Sequence, residues 1–293
     1  MLSGSLVALA TPMGPDGSID GQAWARLIDF HLAHGTSGIV VGGTTGESAT
    51  LTEVELRELV VRAQAQVRGR VPVIAGAGTS STATTVERVR ALGELGPDAL
   101  LVVTPAYNRP TQEGLFRHFA AAAGASRVPL ILYNVPSRTA VDLLPATVAR
   151  LAQLSRIVAI KEAVAQTDRV RELIAATPAG FTVLSGDDAT AREAVLAGAR
   201  GVISVTANVA PLAMADMIRA ALRGEREHAG RIDVQLAALH RELFIEPNPI
   251  PVKWALQEMG LIGPGIRLPL TELSAAHQGA VHKAMIQAGV NPK

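Results

Sequence analysis

The chain of 293 residues contains no cysteine, only two tyrosines and only four lysines, against 23 arginines. Without cysteine it has no disulfide, no thiolate nucleophile and no thiolate ligand for a metal. Because tyrosine and lysine are so scarce, the places where they do occur are informative.

Long apolar runs and an excess of charge of one sign are also missing. No stretch approaches the ~18 uninterrupted apolar residues that a membrane-spanning helix needs. The net charge of +1 gives no electrostatic footprint for nucleic acid or for an anionic membrane. The first residues lack a basic segment and reach Pro12 early, so no secretory signal is predicted. We therefore expect a soluble cytoplasmic protein that binds neither membrane nor nucleic acid.

Eight short apolar segments, rich in β-branched residues, recur at intervals of about 20 to 34 residues. They cover residues 6–10, 38–41, 71–75, 99–103, 130–133, 157–160, 181–184 and 202–205. Each is followed by a turn and a helical pattern, and continuously apolar runs are typical of parallel strands covered on both faces. Eight such units predict a (β/α)8 barrel, also called a TIM barrel, over residues 1–224. A doubly wound sheet is the competing fold, but no GxGxxG motif follows the first strand.

The helices of this pattern have recognisable starts. Asp20, Thr111 and Asp142 each precede a helical stretch, and Thr52 with Glu55 forms a capping-box pattern. After residue 224 the strand signal stops, and helical stretches follow at residues 226–244, 251–259 and 271–288. Residues 225–293 are therefore predicted to form a C-terminal helical region packed on the barrel.

One of the four lysines ends an apolar strand. Lys161 follows the run of residues 157–160, whereas the other three lysines lie in the last fifth of the chain. A desolvated lysine can act as an amine nucleophile and form a Schiff base with a carbonyl substrate, which the permanently protonated arginine cannot do. The simpler alternative is a lysine at a strand end whose ammonium group reaches solvent.

In barrels of this type, catalytic residues gather at the C-terminal ends of the strands. Both tyrosines of the chain, Tyr107 and Tyr133, follow or end predicted strands there, although core packing alone would scatter them. Tyr133 is predicted to present its hydroxyl to the nitrogen of Lys161. Thr44 and Tyr107 are predicted to extend that chain of hydroxyls for proton transfer.

Two further features at the strand ends suit carboxylate groups. Thr44 and Thr45 lie in a glycine-flanked turn whose backbone N–H groups can bind an anion, although the same turn also serves simply to connect a strand and a helix. Arg138 offers a planar guanidinium group that fits a second carboxylate, and its simpler role would be a surface ion pair.

The histidines argue against a metal centre. All seven fall in helical stretches and none lies at a strand end, where a metal-dependent barrel enzyme needs its His, Asp and Glu ligands. Asp187 and Asp188 alone do not make such a site, and Asp188 is predicted to cap the next helix. We therefore expect no metal and no other cofactor.

Several segments of the chain carry a resemblance to a known family. They are residues 43–48 (GTTGES), 133–139 (YNVPSRT), 160–163 (IKEA), 185–188 (SGDD), 201–208 (GVISVTAN) and 246–254 (EPNPIPVKW). Together they resemble the dihydrodipicolinate synthase family of pyruvate-dependent class I aldolases, over essentially the whole chain. The resemblance implies a lyase on a (β/α)8 barrel. Such an enzyme condenses pyruvate with L-aspartate 4-semialdehyde to 4-hydroxy-tetrahydrodipicolinate, on the route to diaminopimelate and lysine.

The resemblance also implies a role for each candidate residue. These are Lys161 as the Schiff-base residue, Tyr133, Thr44 and Tyr107 as the proton relay, Thr45 and Arg138 as ligands of the pyruvate and semialdehyde carboxylates, and Gly186 with the backbone of Ile203 as the lining of the pyruvate pocket. It further implies a homotetramer, a dimer of dimers, in which Tyr107 reaches into the partner's active site.

Two other functions stay open from the sequence. Sibling aldolases, such as N-acetylneuraminate lyases or 2-keto-3-deoxy sugar acid aldolases, share the lysine and the tyrosine, but they need hydroxyl-binding groups where this chain has Arg138. A non-catalytic relative that only binds a keto acid would have no need for both Tyr107 and Tyr133.

The chain departs from relatives that lysine inhibits. Those relatives carry polar side chains in a pocket at the tight dimer interface, and at the matching positions this chain has Glu53, Leu56, Ser80, Thr84 and Ala106. Inhibition by lysine is therefore not expected.

Overall fold

The computed structural model describes residues 2–292 as alternating strands and helices. The strands are β1 (Gly4–Ala8), β2 (Gly38–Val41), β3 (Val73–Gly76), β4 (Ala99–Val103), β5 (Leu130–Asn134), β6 (Ile157–Glu162), β7 (Thr182–Ser185) and β8 (Gly201–Ser204). The helices are α1 (Gly21–Ala33), α2 (Glu53–Val67), α3 (Thr82–Gly93), α4 (Gln112–Ala125), α5 (Pro136–Thr139), α6 (Pro145–Leu151), α7 (Thr167–Ala176), α8 (Ala191–Leu196), α9 (Pro211–Leu222), α10 (Arg226–Glu242), α11 (Ile250–Glu258) and α12 (Ala275–Gln287).

The eight strands form a closed, wholly parallel barrel. Each strand pairs with the next along the chain, and β8 pairs with β1 to close the ring. The predicted (β/α)8 barrel with a C-terminal helical region is confirmed. The barrel brings the carboxyl ends of all eight strands to one rim, which places their following loops around a common opening.

Alternation along the strands separates two apolar cores. Inward residues such as Leu6, Val40, Ile131 and Ile203 fill the barrel, and outward residues pack against the helices. The outer core runs on without a break into the C-terminal helices, since α10 packs on α9 and α12. The predicted boundary between the barrel (residues 1–224) and the C-terminal region (residues 225–293) falls in the turn between α9 and α10. Since both regions share one core, this division into two domains stays a prediction. Within residues 2–292, no helix is long and apolar enough to cross a membrane.

Most of the predicted helix starts are confirmed. Asp20 caps α1, Thr111 caps α4, and Thr52 and Glu55 form a complete capping box at α2. Asp142 is the exception, since α6 begins three residues later, at Pro145. The Asp142 carboxylate instead binds the guanidinium of Arg169 at 2.7 and 3.0 Å, a stronger partner than the backbone N–H groups of a helix.

The prediction that Asp188 caps the next helix is also wrong. Its carboxylate accepts the backbone N–H groups of Val205 and Thr206 at 2.9 and 2.8 Å, while α8 starts only at Ala191. Because Val205 donates to Asp188, β8 ends at Ser204 rather than at Val205. Asp188 thus ties the end of β7 to the end of β8.

Candidate active site

A cavity of about 500 Å³ opens at the carboxyl-end rim of the barrel. Its lining includes Ala8, Val40, Gly43, Thr44, Thr45, Leu101, Tyr133, Val135, Ser137, Arg138, Lys161, Ala163, Gly186, Asp187, Val205 and the segment 244–248. Six of the eight predicted site residues are among them. The other two, Tyr107 and Ile203, are not.

Lys161 lies on the inner face of β6, directly beside Tyr133 of β5. The two residues are register partners, and the Lys161 Nζ lies 4.2 Å from the centroid of the Tyr133 ring. Only 5% of Lys161 is exposed, and no ion pair within the described chain involves it. Gly186 of the neighbouring strand end leaves room for it, since a Cβ there would lie 3.0 Å from the Lys161 Cε. An amine is therefore held in a confined space against a phenol.

The loop after β2 brings Thr44 and Thr45 to the same cavity. Its backbone lies so close to β3 that a side chain at Gly76 would overlap the carbonyl of Gly42. A few residues on, Glu47 adopts a left-handed conformation, with φ of 57°, and its buried carboxylate pairs with the ammonium of Lys253 in α11. This ion pair anchors the loop to the C-terminal region.

The C-terminal region supplies part of the cavity wall, which sequence reasoning missed. The buried Asn248 donates from Nδ2 to the Thr45 hydroxyl at 3.1 Å, and its backbone carbonyl accepts from Arg138 Nη2 at 3.2 Å. Its Oδ1 is buried without a hydrogen-bond partner among the described residues. In the sequence, Asn248 lies in a Pro-rich segment that also carries part of the family resemblance, and the prolines indicate a rigid loop but give no direction for its side chains.

A second missed residue is Glu162, next to Lys161 on β6. Its side chain points outward from the barrel, where Asn134 Nδ2 donates to both carboxylate oxygens at 3.0 and 3.1 Å. Burial raises the pKa of Glu162 to about 7, against the opposing effects of its hydrogen bonds and of Arg169. Hydrogen bonds from Arg169 lower the pKa of the nearby Asp142. The site thus has an unusual buried carboxyl group directly behind its lysine.

Tyr107 stands apart from the cavity of its own chain. It is 95% exposed, with φ of 74°, and the Asn108 N–H donates to the Ala106 carbonyl across it at 2.9 Å. This three-residue turn holds Tyr107 in a conformation that costs a tyrosine roughly 1–2 kcal/mol. Ile203, the other predicted residue outside the lining, is buried in the barrel interior.

The cavity therefore combines a buried amine, a phenol, two threonines and a guanidinium. This set suits covalent chemistry on a small carbonyl compound that carries carboxylates. Over residues 2–292, no three His, Asp or Glu side chains converge closely enough to hold a metal ion.

Comparisons with known proteins agree with this chemistry. The family model described as "Dihydrodipicolinate synthetase family" matches residues 1–288. The 4-hydroxy-tetrahydrodipicolinate synthases of Alkalilimnicola ehrlichii and Methylococcus capsulatus are each 57% identical to the chain, over 99% of it and over 99% and 100% of their own lengths. The crystal structure of the chloride-inhibited dihydrodipicolinate synthase from Acinetobacter baumannii, complexed with pyruvate, superposes with a TM-score of 0.98 at 46% identity. That match covers 99% of this chain and 100% of the other.

Proposed function

The chain belongs to the dihydrodipicolinate synthetase family, and we propose that it catalyses the reaction of a 4-hydroxy-tetrahydrodipicolinate synthase. In this reaction pyruvate and L-aspartate 4-semialdehyde condense through a Schiff base on the enzyme. The observation that carries the proposal is the buried amine of Lys161 against Tyr133, in a chain that matches such synthases over nearly its full length.

The chemistry begins at Lys161. Its amine attacks the C2 carbonyl of pyruvate, water leaves, and loss of a methyl proton converts the imine to an enamine. The enamine carbon forms a bond to the aldehyde carbon of the semialdehyde, whose oxygen takes up a proton. The amino group of the second substrate then attacks the imine carbon, closes the ring and releases the lysine. Each step needs a proton carrier beside the nitrogen, which is the role we assign to the Tyr133 hydroxyl.

The two carboxylates are assigned to different parts of the cavity. We assign the pyruvate carboxylate to the turn of Thr44 and Thr45, with Gly186 and the backbone of Ile203 forming the rest of that pocket. Arg138 takes the carboxylate of the semialdehyde, since its guanidinium lines the cavity and donates only one hydrogen bond, to the Asn248 carbonyl, within the described residues. Thr44 carries protons onward from Tyr133.

Tyr107 supports a proposal about assembly. A strained tyrosine that is 95% exposed and outside its own cavity is suited to contact another copy of the chain. We propose a homotetramer, a dimer of dimers, in which Tyr107 completes the relay in the partner's active site. Sedimentation velocity of the wild type and of Tyr107→Ala, together with their turnover, tests this directly. A fully active monomer would contradict it. A cytoplasmic location stays a prediction.

Turnover with defined aldehydes tests the function. Pyruvate with aspartate semialdehyde is expected to give product at a rate far above pyruvate with N-acetylmannosamine or glyceraldehyde, because only the semialdehyde brings a carboxylate for Arg138. Preference for either of the other two would instead identify a sibling aldolase. Pyruvate binding without turnover on any aldehyde would identify a keto-acid-binding protein.

A further inference from the structure

The two strands that carry Lys161 and Tyr133 also form a polar contact on their outer face. Successive strand residues point to opposite faces, so the next residue on each strand, Asn134 and Glu162, points away from the cavity. These two are also register partners, and both are buried, with exposures of 0% and 2%. A buried polar pair therefore lies back to back with the pair of the active site.

The hydrogen bonds of this pair extend to two loops, and an ion pair of Glu162 with Arg169 reaches helix α7. Asn134 Nδ2 donates to the Glu162 carboxylate and, at 2.7 Å, to Asp142, while its Oδ1 accepts the Leu143 N–H at 2.9 Å. Glu162 also accepts the N–H of Val164 at 2.8 Å. We call the group of Asn134, Glu162, Asp142 and Arg169 the strand clamp, because it joins β5, β6, the loop before α6 and helix α7.

The backbone ladder between β5 and β6 is irregular, so a side-chain contact can contribute to the alignment of the two strands. Leu130 pairs with Ile157, but Ile131 pairs with Ala159, so Val158 is an extra residue on β6. Such a bulge locally disrupts the ladder and bends the strand that carries the extra residue. At the other end of the ladder, the contact of Asn134 with Glu162 holds the strands at the step beside Lys161 and Tyr133.

We propose that the strand clamp is a positioning device that sets the distance between the Lys161 amine and the Tyr133 hydroxyl. This inference rests on the proposed function. No member of the clamp lines the cavity, so it acts through the backbone and not by contact with substrate. Proton transfer requires the two groups within hydrogen-bond reach, and a displacement of about 1 Å can cost on the order of a hundredfold in rate.

The charges within the clamp fit this role. Two carboxylates, of Asp142 and Glu162, share the single guanidinium of Arg169, which lies 2.7 Å from the first and 3.6 Å from the second. Among the described residues, the Asn134 amide is the only neutral donor that reaches both carboxylates. Replacing it by an apolar side chain of similar size would leave both acids facing each other with one fewer donor.

Kinetics of two clamp variants test the proposal. At pH 8, where Glu162 is ionised, Glu162→Gln keeps the shape but turns one acceptor into a donor that faces Asn134, and Asn134→Leu removes the donor. We expect kcat to fall about 10-fold and about 30- to 100-fold, respectively, with KM for pyruvate changed less than about threefold. The rate of borohydride trapping of pyruvate is expected to fall with kcat. The double variant is expected to be no slower than Asn134→Leu alone, because both changes break one contact.

The matched control is Asp98→Asn at the opposite end of the barrel. Asp98 links β4 to β3 by accepting the Val73 N–H at 2.8 Å, so this variant also neutralises a carboxylate that joins two strands. It is expected to keep kcat within about twofold of wild type. All rates are measured at a temperature where circular dichroism shows each variant folded.

The possible outcomes separate this proposal from the proposed function. The first outcome is that the wild type forms the adduct at Lys161 while folded Glu162→Gln and Asn134→Leu keep an unchanged kcat. This result would overturn the positioning role of the strand clamp and leave the Schiff-base assignment intact. Equal losses of kcat in Asp98→Asn and Glu162→Gln would show a general loss of barrel stability and also overturn it. Failure of the wild type to form any adduct would reject the proposed function itself.

Discussion

Two of the lysines within residues 2–292, Lys161 and Lys253, are buried, and their surroundings differ. Lys161 is 5% exposed and Lys253 is 4% exposed, so burial alone does not distinguish them. The ammonium of Lys253 pairs with the carboxylate of Glu47, whereas the nitrogen of Lys161 lies against the ring of Tyr133 and faces a cavity. Burial lowers the pKa of Lys253, and Glu47 opposes that shift. The carboxylate partner thus suits Lys253 to a structural role, whereas the phenol and the cavity beside Lys161 suit the covalent role proposed for it.

The largest expected effect comes from exchanging Lys161, the proposed Schiff-base residue. Lys161→Arg keeps a cation and a long side chain but removes the nucleophile, so turnover is expected to fall by at least about a thousandfold. Mass spectrometry after incubation with pyruvate and borohydride should find one adduct per wild-type chain, at Lys161, and none in the variant. The melting temperature is expected to stay within a few degrees of wild type.

An adduct on a residue other than Lys161 would contradict this comparison of the two lysines. In Lys253→Arg, the cation beside Glu47 is retained and trapping at Lys161 should persist. An adduct on Lys253, in the wild type or in Lys161→Arg, would show that the carboxylate partner does not prevent reaction and that the assignment of roles is wrong.

The second effect concerns stability. Removing one partner of a buried ion pair leaves an uncompensated charge and costs on the order of 3–5 kcal/mol, so Glu47→Gln and Lys253→Met should each lower the free energy of unfolding by about that amount. The double variant should lose less than the sum of the two. Urea unfolding followed by circular dichroism measures all three. Single-variant losses below about 1 kcal/mol would mean that this pair does not anchor the loop of Thr44 and Thr45.

The third effect concerns Arg138, a cation whose proposed partner is a carboxylate of the substrate and not of the protein. Arg138→Ala should lower kcat/KM for aspartate semialdehyde by roughly 30- to 1000-fold, because a charged partner of a carboxylate is worth about 2–4 kcal/mol. Pyruvate trapping at Lys161 should change far less. The reverse pattern, with weak pyruvate binding and normal semialdehyde binding, would exchange the two carboxylate assignments.

The fourth effect is a pH dependence that comes from the acid behind Lys161. The pKa of Glu162 is raised from 4.5 to about 7 in the folded protein. Between these values the folded chain keeps a proton that the unfolded chain has lost, so the associated stability is full below pH 4.5 and is lost as the pH rises through 7. The loss amounts to at most about 3 kcal/mol. Glu162→Gln has no such proton to lose. Its free energy of unfolding, measured with urea, should therefore decline less between pH 5 and pH 8 than that of the wild type.

The smallest expected effect is that of free lysine as an inhibitor. Leu56 is only 2% exposed and packs beneath Gly42, so it offers an effector no polar group. Glu53, the acid best suited to receive the effector's ammonium group, already binds Arg88, whose Nε lies 2.8 Å away. Turnover at subsaturating pyruvate is therefore expected to persist across lysine from micromolar to tens of millimolar. Half-inhibition below about 1 mM would contradict this expectation.

The barrel and its lysine could be predicted because their signals are local. A continuously apolar run predicts a buried parallel strand without knowledge of its neighbours, and a lone lysine at the end of such a run is conspicuous. The strand order along the chain then places Lys161 next to Tyr133, and the register of β5 and β6 in the structure confirms this.

The parts that were missed or wrong depend on partners far away in sequence. Asp142 and Asp188 look like helix caps locally, but a guanidinium and two backbone N–H groups from other elements bind them instead. Asn248 lies 203 residues from Thr45, and nothing in its own segment indicates that contact. Tertiary hydrogen bonds decide the direction of a side chain in a loop, and local sequence patterns do not specify these bonds.

The wall formed by Asn248 has a consequence for how the protein is made. A ribosome completes β8 at Ser204 well before it adds Asn248, and at about 5–20 residues per second the gap lasts on the order of several seconds. During that time all eight strands exist, yet Thr45 and Arg138 lack the residue that joins them. A chain released early would therefore carry Lys161 and Tyr133 without a finished cavity wall, so a complete cavity shows that translation has reached the C-terminal region.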